Sequence, residues 1–164
     1  MNTNKDIEIR PQEGFQMSFV RCNLDVVFGG GVLASGKSFA LVLAMAEPLL
    51  TDPDFRAMIS RRSLGNQKAG GGFVEKFKQI FGSDFVRVKE SDSPRVSFPN
   101  GTFVDLTYLD DSNMDKLRER AKGWEYDMIA IDELTEMSWE AFSYVMTRNR
   151  GQSKTLPTHI TEEI

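Results

Sequence analysis

The chain has 164 residues, a net charge of −4 at pH 7, 40% hydrophobic residues and 27% charged residues. This length suits one domain with a substantial core, and the composition is that of an ordinary globular protein. With one cysteine (Cys22) and one histidine (His159), we expect no internal disulfide and no cysteine or histidine metal cluster. We expect neither membrane insertion nor secretion, because the apolar runs are short and no signal sequence opens the chain. Because the net charge is negative, any nucleic-acid binding would rely on local basic patches.

The first segment, residues 1–24, is polar at its start and then contains Gly14–Val20, which predicts a short helix or turn. Gln16, or less favourably Gln12, lies where many nucleotide-driven motors place a glutamine that hydrogen-bonds the adenine edge. A plain surface amide is the alternative interpretation. The segment is therefore a candidate adenine-side element preceding a domain over residues 25–150.

A glycine-rich motif follows a short apolar run. Val26–Phe28 is β-branched and aromatic, which predicts a buried strand. Residues 31–38, Gly-Val-Leu-Ala-Ser-Gly-Lys-Ser, fit the pattern G-x-x-x-x-G-K-[ST], and good helix formers occupy residues 39–47. A strand, a glycine loop and a helix in this order are the context in which a phosphate-binding loop occurs.

The residue types in this motif suit a nucleotide triphosphate. Glycine lets successive backbone N–H groups face the phosphates, and the helix N-terminus adds its unpaired donors. Lys37 is predicted to reach the β- and γ-phosphates, and the Ser38 hydroxyl to ligate Mg²⁺. The predicted ATP-binding residues of the motif are Gly31, Gly36, Lys37, Ser38 and Phe39.

The next elements predict a parallel β-α-β unit. Residues 47–54 contain two prolines and predict a loop, and residues 55–60 predict a second strand. Arg61 and Arg62 follow at its carboxyl end, where open α/β sheets bind ligands. They contact either phosphate or DNA, or they are solvated ends of the strand. The glycine-rich residues 66–72 form either a mobile loop near the site or a plain linker.

Residues 73–108 predict a helix and an antiparallel addition to the sheet. Phe73, Phe77, Ile80 and Phe81 share one face of a helix that Gly82 ends, a stripe typical of core packing. Alternating residues in 85–89, 95–98 and 103–108 predict strands, with a hairpin turn at residues 99–102, which contain Asn-Gly. Residues 110–112 are candidates to cap a helix over residues 114–122.

A second acidic motif follows a short apolar strand at residues 128–131. Asp132 is predicted to hold the Mg²⁺ shell together with Ser38. Glu133 is the predicted catalytic base that orients and deprotonates a water, with Glu136 as a substitute. A carboxylate next to the metal ligand favours hydrolysis over transfer of the phosphoryl group to another substrate.

The last predicted helix packs on the sheet through one face, formed by Trp139, Phe142, Val145 and Met146. Arg148 and Arg150 lie at its C-terminal end. Their positive charges either interact favourably with the negative end of the helix dipole or supply a catalytic cation.

Taken together, these motifs resemble the large terminase subunit of tailed bacteriophages, the ATPase that drives DNA packaging. The resemblance is carried in order by Gly14–Gln16, Val27–Gly31, Gly36–Ser38, Ile59–Arg62, Phe98–Gly101, Lys122–Gly123, Ile129–Thr135 and Thr147–Arg150. It implies Gln16 near adenine, Lys37 and Ser38 at phosphate and Mg²⁺, Asp132 as the metal-shell acid and Glu133 as the catalytic base. It also implies double-stranded DNA, a portal protein and a small terminase subunit as partners. The family further implies assembly into a ring homo-oligomer and a location in the cytoplasm of the bacterial host.

The chain also departs from this family. Many terminases carry an arginine four residues before the loop lysine, where this chain has Leu33. The transition-state cation must come from Arg148, Arg150, Arg61, Arg62 or a neighbouring subunit. The family continues past Arg150 into a coupling motif and a nuclease domain, so we expect residues 151–164 to be a tail of a truncated copy.

We therefore predict an α/β P-loop NTPase of the motor-ATPase type. Its mostly parallel sheet is flanked by helices and extended by an antiparallel hairpin. The function that follows is Mg-ATP hydrolysis coupled to DNA translocation into a procapsid. The alternatives are another P-loop ATPase, such as a helicase-like enzyme, and a nucleotide-binding fragment without turnover.

Overall fold

The computed structural model of the chain describes residues 9–30, 36–61, 72–89, 91 and 93–151. Within these residues, two helices precede the first strand, and three consecutive strands occupy the middle of the chain. The helices are α1 (Phe15–Val20), α2 (Lys37–Thr51), α3 (Phe73–Phe81), α4 (Met114–Ala121) and α5 (Trp139–Met146), with a 3-10 turn at Leu134–Glu136. The strands are β1 (Arg56–Arg61), β2 (Arg87–Lys89), β3 (Arg95–Ser97), β4 (Phe103–Tyr108) and β5 (Met128–Ile131). None of these described helices combines the length and apolarity needed to cross a membrane.

The five strands form one mixed sheet in the order β2-β3-β4-β1-β5. β1 pairs in parallel with β4 on one side and β5 on the other, so Ile59 lies between Leu106 and Ala130. β2, β3 and β4 pair antiparallel. The predicted antiparallel addition to a parallel sheet is confirmed.

Helices cover both faces of the sheet, because alternate residues of the central strand point to opposite sides. Ala57 and Ile59 belong to a core shared with α2 and α3. Met58 belongs to a second core shared with α4 and α5. Full burial of four successive β1 residues, from Ala57 to Ser60, is the pattern expected of a central strand in an α/β fold.

The aromatic stripe predicted for α3 is confirmed. Phe73 and Phe77 are buried in the first core, and Ile80 and Phe81 pack against it. The Phe77 ring contacts Phe81 and Phe98, with ring centroids 6.0 and 6.3 Å away. These rings serve core packing, as the sequence predicts.

The Asn100-Gly101 turn between β3 and β4 also holds the end of α2. Gly101 has a φ of +96°, a conformation that favours glycine. The side-chain amide of Asn100 and the hydroxyl of Thr102 both donate to the Leu49 carbonyl at 2.8 Å. The turn thus caps a carbonyl in the last turn of α2 that has no helical partner.

The predicted buried strand at Val26–Phe28 is wrong. The structure assigns no strand to these residues, and Val26, Val27 and Phe28 are 46%, 36% and 66% exposed. A β-branched run indicates a tendency to extend, but a strand forms only where it finds a pairing edge. The β-α-β unit that this strand would have begun is therefore absent from the described residues.

The predicted loop at residues 47–54 is wrong in its first half, because α2 continues through Pro48 to Thr51. Proline lacks the N–H for one helical bond, but the turn that follows is intact. The Thr51 hydroxyl donates to the Glu47 carbonyl at 2.8 Å, and the N–H of Asp52 donates to the Pro48 carbonyl at 3.0 Å. Complete burial of Leu49 stabilises this last turn.

The cap of α4 is Asn113, and the prediction of a cap among residues 110–112 is wrong. The Asn113 side chain accepts a hydrogen bond from the Lys116 N–H at 3.0 Å. Asp111 instead accepts from the N–H of Ser138 at 2.6 Å, at the start of α5. Both asparagine and aspartate are good caps, so residue preference alone could not choose between them.

The predicted packing face of α5 is wrong at its first residue. Trp139 is 76% exposed, whereas Ala141 and Val145 are fully buried. Trp139 contacts Phe142, whose ring lies 6.0 Å from that of Phe28. The buried face of α5 is therefore centred on Ala141 and Val145, which share the second core with Leu117 of α4.

Candidate nucleotide and metal site

Two side chains of opposite charge meet where parallel strands β1 and β5 end. Arg61 is the last residue of β1, and Asp132 directly follows β5. The Asp132 N–H donates to the Ser60 carbonyl at 2.9 Å, so strand pairing extends to this acid and fixes its backbone. This edge is where open α/β sheets bind ligands.

The N-terminus of α2 reaches the same edge. Gly36, its N-cap, has a φ of +72°, a left-handed conformation that other residues rarely adopt. Ser38 lies in the first turn, and its hydroxyl donates to Asp132 Oδ2 at 3.2 Å. The sheet edge and the N-terminus of α2 thus share one location.

Gln16 on α1 supports this helix start. Its amide oxygen accepts from the Gln12 N–H at 2.9 Å, and its amide nitrogen donates to the Gly36 carbonyl at 3.3 Å. The side chain is buried, with 4% of the residue exposed, so the surface-amide interpretation is wrong. A Cβ added to Gly36 would collide with this amide, which gives a second reason for glycine there.

Asp132 forms a close ion pair with Arg61. Arg61 Nε and Nη2 lie 2.8 and 2.6 Å from Asp132 Oδ2, and the two side chains are 15% and 11% exposed. Lys76, in the first turn of α3, is nearby. Burial lowers the pKa of Lys76, the positive charge of Arg61 lowers it further, and the Asp132 carboxylate acts in the opposite direction.

The donor set fits Mg²⁺ bound together with phosphate. Ser38 and Asp132 supply a hydroxyl and a carboxylate oxygen, the hard ligands that Mg²⁺ prefers. Within the described residues, no group of three or more His, Cys, Asp and Glu side chains could hold a metal alone. Mg²⁺ commonly takes only one or two protein ligands and completes its shell with water and phosphate oxygens.

Glu133 follows with an unusual backbone. It has a φ of +62° and is the only non-glycine residue with positive φ in the described part of the chain. Such strain costs about 1–2 kcal/mol and concentrates at functional sites. The residue is exposed, and it begins the 3-10 turn, where its carbonyl accepts from the Glu136 N–H at 3.0 Å. Its carboxylate is therefore accessible beside Asp132.

The family model described as "Terminase large subunit, T4likevirus-type, N-terminal" matches residues 28–162 of the chain. The chain belongs to this large terminase family. The resemblance drawn from the sequence motifs is therefore confirmed.

Among solved structures, the large terminase from the thermophilic bacteriophage D6E is similar to this terminase chain with a TM-score of 0.58 and 14% sequence identity. The match covers 85% of this chain and 36% of that one. At this identity the likeness supports the fold alone, and the chain spans about a third of the D6E protein. No curated protein matches the chain.

The two C-terminal arginines of this terminase chain lie at the other end of the sheet. The Arg148 carbonyl accepts from the Tyr126 N–H at 3.3 Å, before β5 begins. About 20 Å of extended chain separates Tyr126 from Asp132. Arg148 stacks on Tyr144 at 4.9 Å, and Arg150 follows it, exposed. The structure therefore does not bring either arginine to Asp132 within one chain.

The other predicted site residues divide by location. Lys37 and Phe39 lie in the first turn of α2 beside Ser38, each partly exposed. Gly31, Leu33 and Arg62 lie outside the described residues.

The sequence motifs identify Arg61 and Asp132 separately, but they do not predict that these two residues form a pair. The sequence predicts Arg61 at a strand end, either as a contact for phosphate or DNA or as a solvated residue, and also as a candidate transition-state cation. The signal that could have found the pair is the adjacency of β1 and β5, because the carboxyl ends of neighbouring parallel strands lie together. The order of strands in a sheet depends on the tertiary structure, so it cannot be inferred from the local sequence pattern.

Proposed function

We propose that this terminase chain is the ATPase domain of a phage DNA-packaging motor, which couples Mg-ATP hydrolysis to translocation of double-stranded DNA into a procapsid. The observation that carries the proposal is the hydrogen bond from Ser38, at the start of α2, to Asp132, at the end of β5. These two residues belong to the two sequence motifs that a P-loop NTPase requires, and 94 residues separate them in sequence.

In this proposal the phosphates bind at the N-terminus of α2. Gly36 and Gly31 let the loop backbone face them, Lys37 neutralises the β- and γ-phosphates, and Phe39 continues the first helical turn. Gln16 lies beside the adenine and retains one N–H and one lone pair beyond its two bonds within the protein.

Ser38 and Asp132 would hold Mg²⁺, which neutralises charge on the phosphates when bound. Glu133 would act as the general base that orients and deprotonates the attacking water, with Glu136 in the following turn as the substitute. The exposed side of Glu133 leaves room for that water.

The remaining cation would come from a neighbouring subunit. Arg148 and Arg150 lie near the amino end of β5, far from Asp132 of the same chain. A ring of subunits would let one chain present either arginine to the site of the next. Such an arginine accelerates phosphoryl transfer by about 10³–10⁵-fold.

The family also suggests the partners. We propose double-stranded DNA, a portal protein and a small terminase subunit, with assembly as a ring homo-oligomer in the host cytoplasm. Membership in the terminase family favours this function over a helicase-like ATPase.

A nucleotide-binding fragment without turnover remains the second candidate, and one observation favours it. Leu24, Phe28 and Trp139 are exposed by 67%, 66% and 76%, and exposed apolar groups of this kind often contact another domain or subunit. An isolated chain would then bind Mg-ATP without hydrolysing it.

ATP hydrolysis measured with and without double-stranded DNA tests the proposal. Glu133→Gln should lower the rate by about 10²-fold or more, the usual contribution of general-base catalysis. Glu119→Gln, an exposed acid on α4, is the matched control and should hydrolyse at the wild-type rate. Equal rates for the two variants would refute the assignment of Glu133. Binding without hydrolysis in the wild type would favour the fragment instead.

A further inference from the structure

The contacts of Asp132 converge on one of its two oxygens. Asp132 Oδ2 accepts the Ser38 hydroxyl at 3.2 Å and Arg61 Nε at 2.8 Å, and it lies 2.6 Å from Arg61 Nη2. This oxygen is the one that faces Ser38, so it is also the one placed to share a metal with that hydroxyl. The guanidinium therefore already contacts the carboxylate oxygen that a divalent cation would need as a ligand.

A metal and Arg61 cannot both keep short contacts with this oxygen at low cost. Mg²⁺ sits about 2.1 Å from its ligand oxygens, so the metal and a guanidinium nitrogen would lie at most about 5 Å apart. The repulsion between them is strong, because only 15% of the Arg61 side chain and 11% of the Asp132 side chain are exposed to water.

The surroundings of Arg61 add to this conflict and also stabilise the guanidinium through a contact that does not involve Asp132. Lys76 is a second cation near this pair, and the positive charge of Arg61 contributes, after burial, to lowering its pKa. The Arg61 guanidinium lies 5.3 Å from the centre of the Phe73 ring. A cation over an aromatic face is stabilised without a carboxylate partner.

We propose that Arg61 is the resident counter-ion of Asp132, which holds the metal-binding oxygen before Mg-nucleotide binds and leaves it when the metal arrives. Arg61 is thus a positioning residue that competes with the metal and stabilises the empty site. The inference rests on the proposed function, because it takes Asp132 and Ser38 as the metal ligands.

Metal affinity tests the competition. Mn²⁺ binding is measured by electron paramagnetic resonance in the presence of a non-hydrolysable ATP analogue. Arg61→Gln should tighten Mn²⁺ binding by about tenfold, the equivalent of losing one competing charged hydrogen bond. Arg61→Lys keeps the charge and should bind Mn²⁺ within about threefold of wild type, a difference near 0.6 kcal/mol.

The matched control is Arg95→Gln. Arg95 also pairs with an aspartate, Asp105, through bonds of 2.6 and 2.8 Å, but on β3, away from Asp132. Its replacement should leave Mn²⁺ affinity unchanged. Unchanged or weaker Mn²⁺ binding in Arg61→Gln would overturn the inference, provided that Asp132→Asn still abolishes binding.

The failure of the proposed function has a different signature. Mn²⁺ binding that is insensitive to Asp132→Asn, or absent from wild type and Arg61→Gln alike, would remove Asp132 as a metal ligand and overturn both proposals together.

Thermal unfolding without metal or nucleotide gives a second test, which does not depend on ligand binding. Arg61→Gln should lower the midpoint in the wild-type background and have little effect when Asp132→Asn is already present, because the two side chains act as a pair. Additive shifts would contradict the role of Arg61 as the counter-ion.

Discussion

Replacing Gln16 by alanine removes a buried bridge between α1 and the start of α2. The amide of Gln16 makes two hydrogen bonds, to the Gln12 N–H at 2.9 Å and to the Gly36 carbonyl at 3.3 Å. A hydrogen bond within a protein contributes about 0.5–1.5 kcal/mol, so Gln16→Ala should lower the free energy of unfolding by about 2 kcal/mol. The loss is structural and should be present without any ligand.

Urea denaturation followed by circular dichroism measures this loss. Gln79→Ala is the matched control, because Gln79 is an exposed glutamine on α3, and its replacement should change stability by less than about 0.5 kcal/mol. A Gln16→Ala variant as stable as the control would refute the bridge.

The same variant separates the bridging role of Gln16 from a contact with adenine. If the remaining N–H and lone pair of the amide reach the base, Gln16→Ala weakens ATP binding more than binding of inorganic tripolyphosphate. If Gln16 only positions Gly36, both ligands lose affinity by the same factor. Isothermal titration calorimetry with the two ligands distinguishes these cases.

Three further predictions concern stability. Phe77→Ala, at a fully buried ring, should cost about 3–5 kcal/mol in urea denaturation. Thr102→Val keeps the shape but removes the hydroxyl that donates to the Leu49 carbonyl at 2.8 Å, and it should cost about 1 kcal/mol in the same assay. Burial, followed by the negative charge of Asp105 and the hydrogen bond to it, raises the pKa of Tyr126. The contribution of Tyr126 to the free energy of unfolding should therefore be fully present below its unfolded pKa of about 10 and decrease as the pH rises above that value. Tyr126→Phe should reduce this loss of stability at alkaline pH.

Control variants accompany the phenylalanine and tyrosine predictions, and all three predictions have a contradicting result. Phe85→Ala, at a ring that is 43% exposed, should cost much less than Phe77→Ala, and equal losses would contradict the packing of α3. A Thr102→Val variant with wild-type stability would contradict the cap on α2. An alkaline unfolding curve with the same slope in Tyr126→Phe and wild type would remove Tyr126 as its cause, and Tyr144→Phe is the matched control.

Local sequence patterns correctly predicted the helices and turns that are determined by residues close together in the sequence. The spacing of Phe73, Phe77 and Phe81 defines a helix face on its own, and the Asn100-Gly101 pair defines a tight turn on its own. The short apolar run before Asp132 was also predicted as a strand, because the polar residues on either side mark where the run begins and ends.

The failures involve information that lies elsewhere in the chain. The Val26–Phe28 run has strand composition, but pairing depends on which sheet edge is available. The exposed Trp139 shows the same limit, since hydrophobic spacing identifies a face without identifying what covers it. The Arg61–Asp132 pair depends on the order of β1 and β5 in the sheet, which no window of sequence contains.

The measurement that tests the central claim most directly is Mg-ATP binding by this chain, with Lys37→Ala beside it. Calorimetry should show binding in the wild type that weakens by about 10–150-fold in Lys37→Ala, the loss of a charged hydrogen bond to phosphate. Lys78→Ala, at a lysine on α3 that pairs with Glu75, should bind as wild type does. No Mg-ATP binding by the folded chain, or equal binding by Lys37→Ala and wild type, would contradict a nucleotide site at the start of α2.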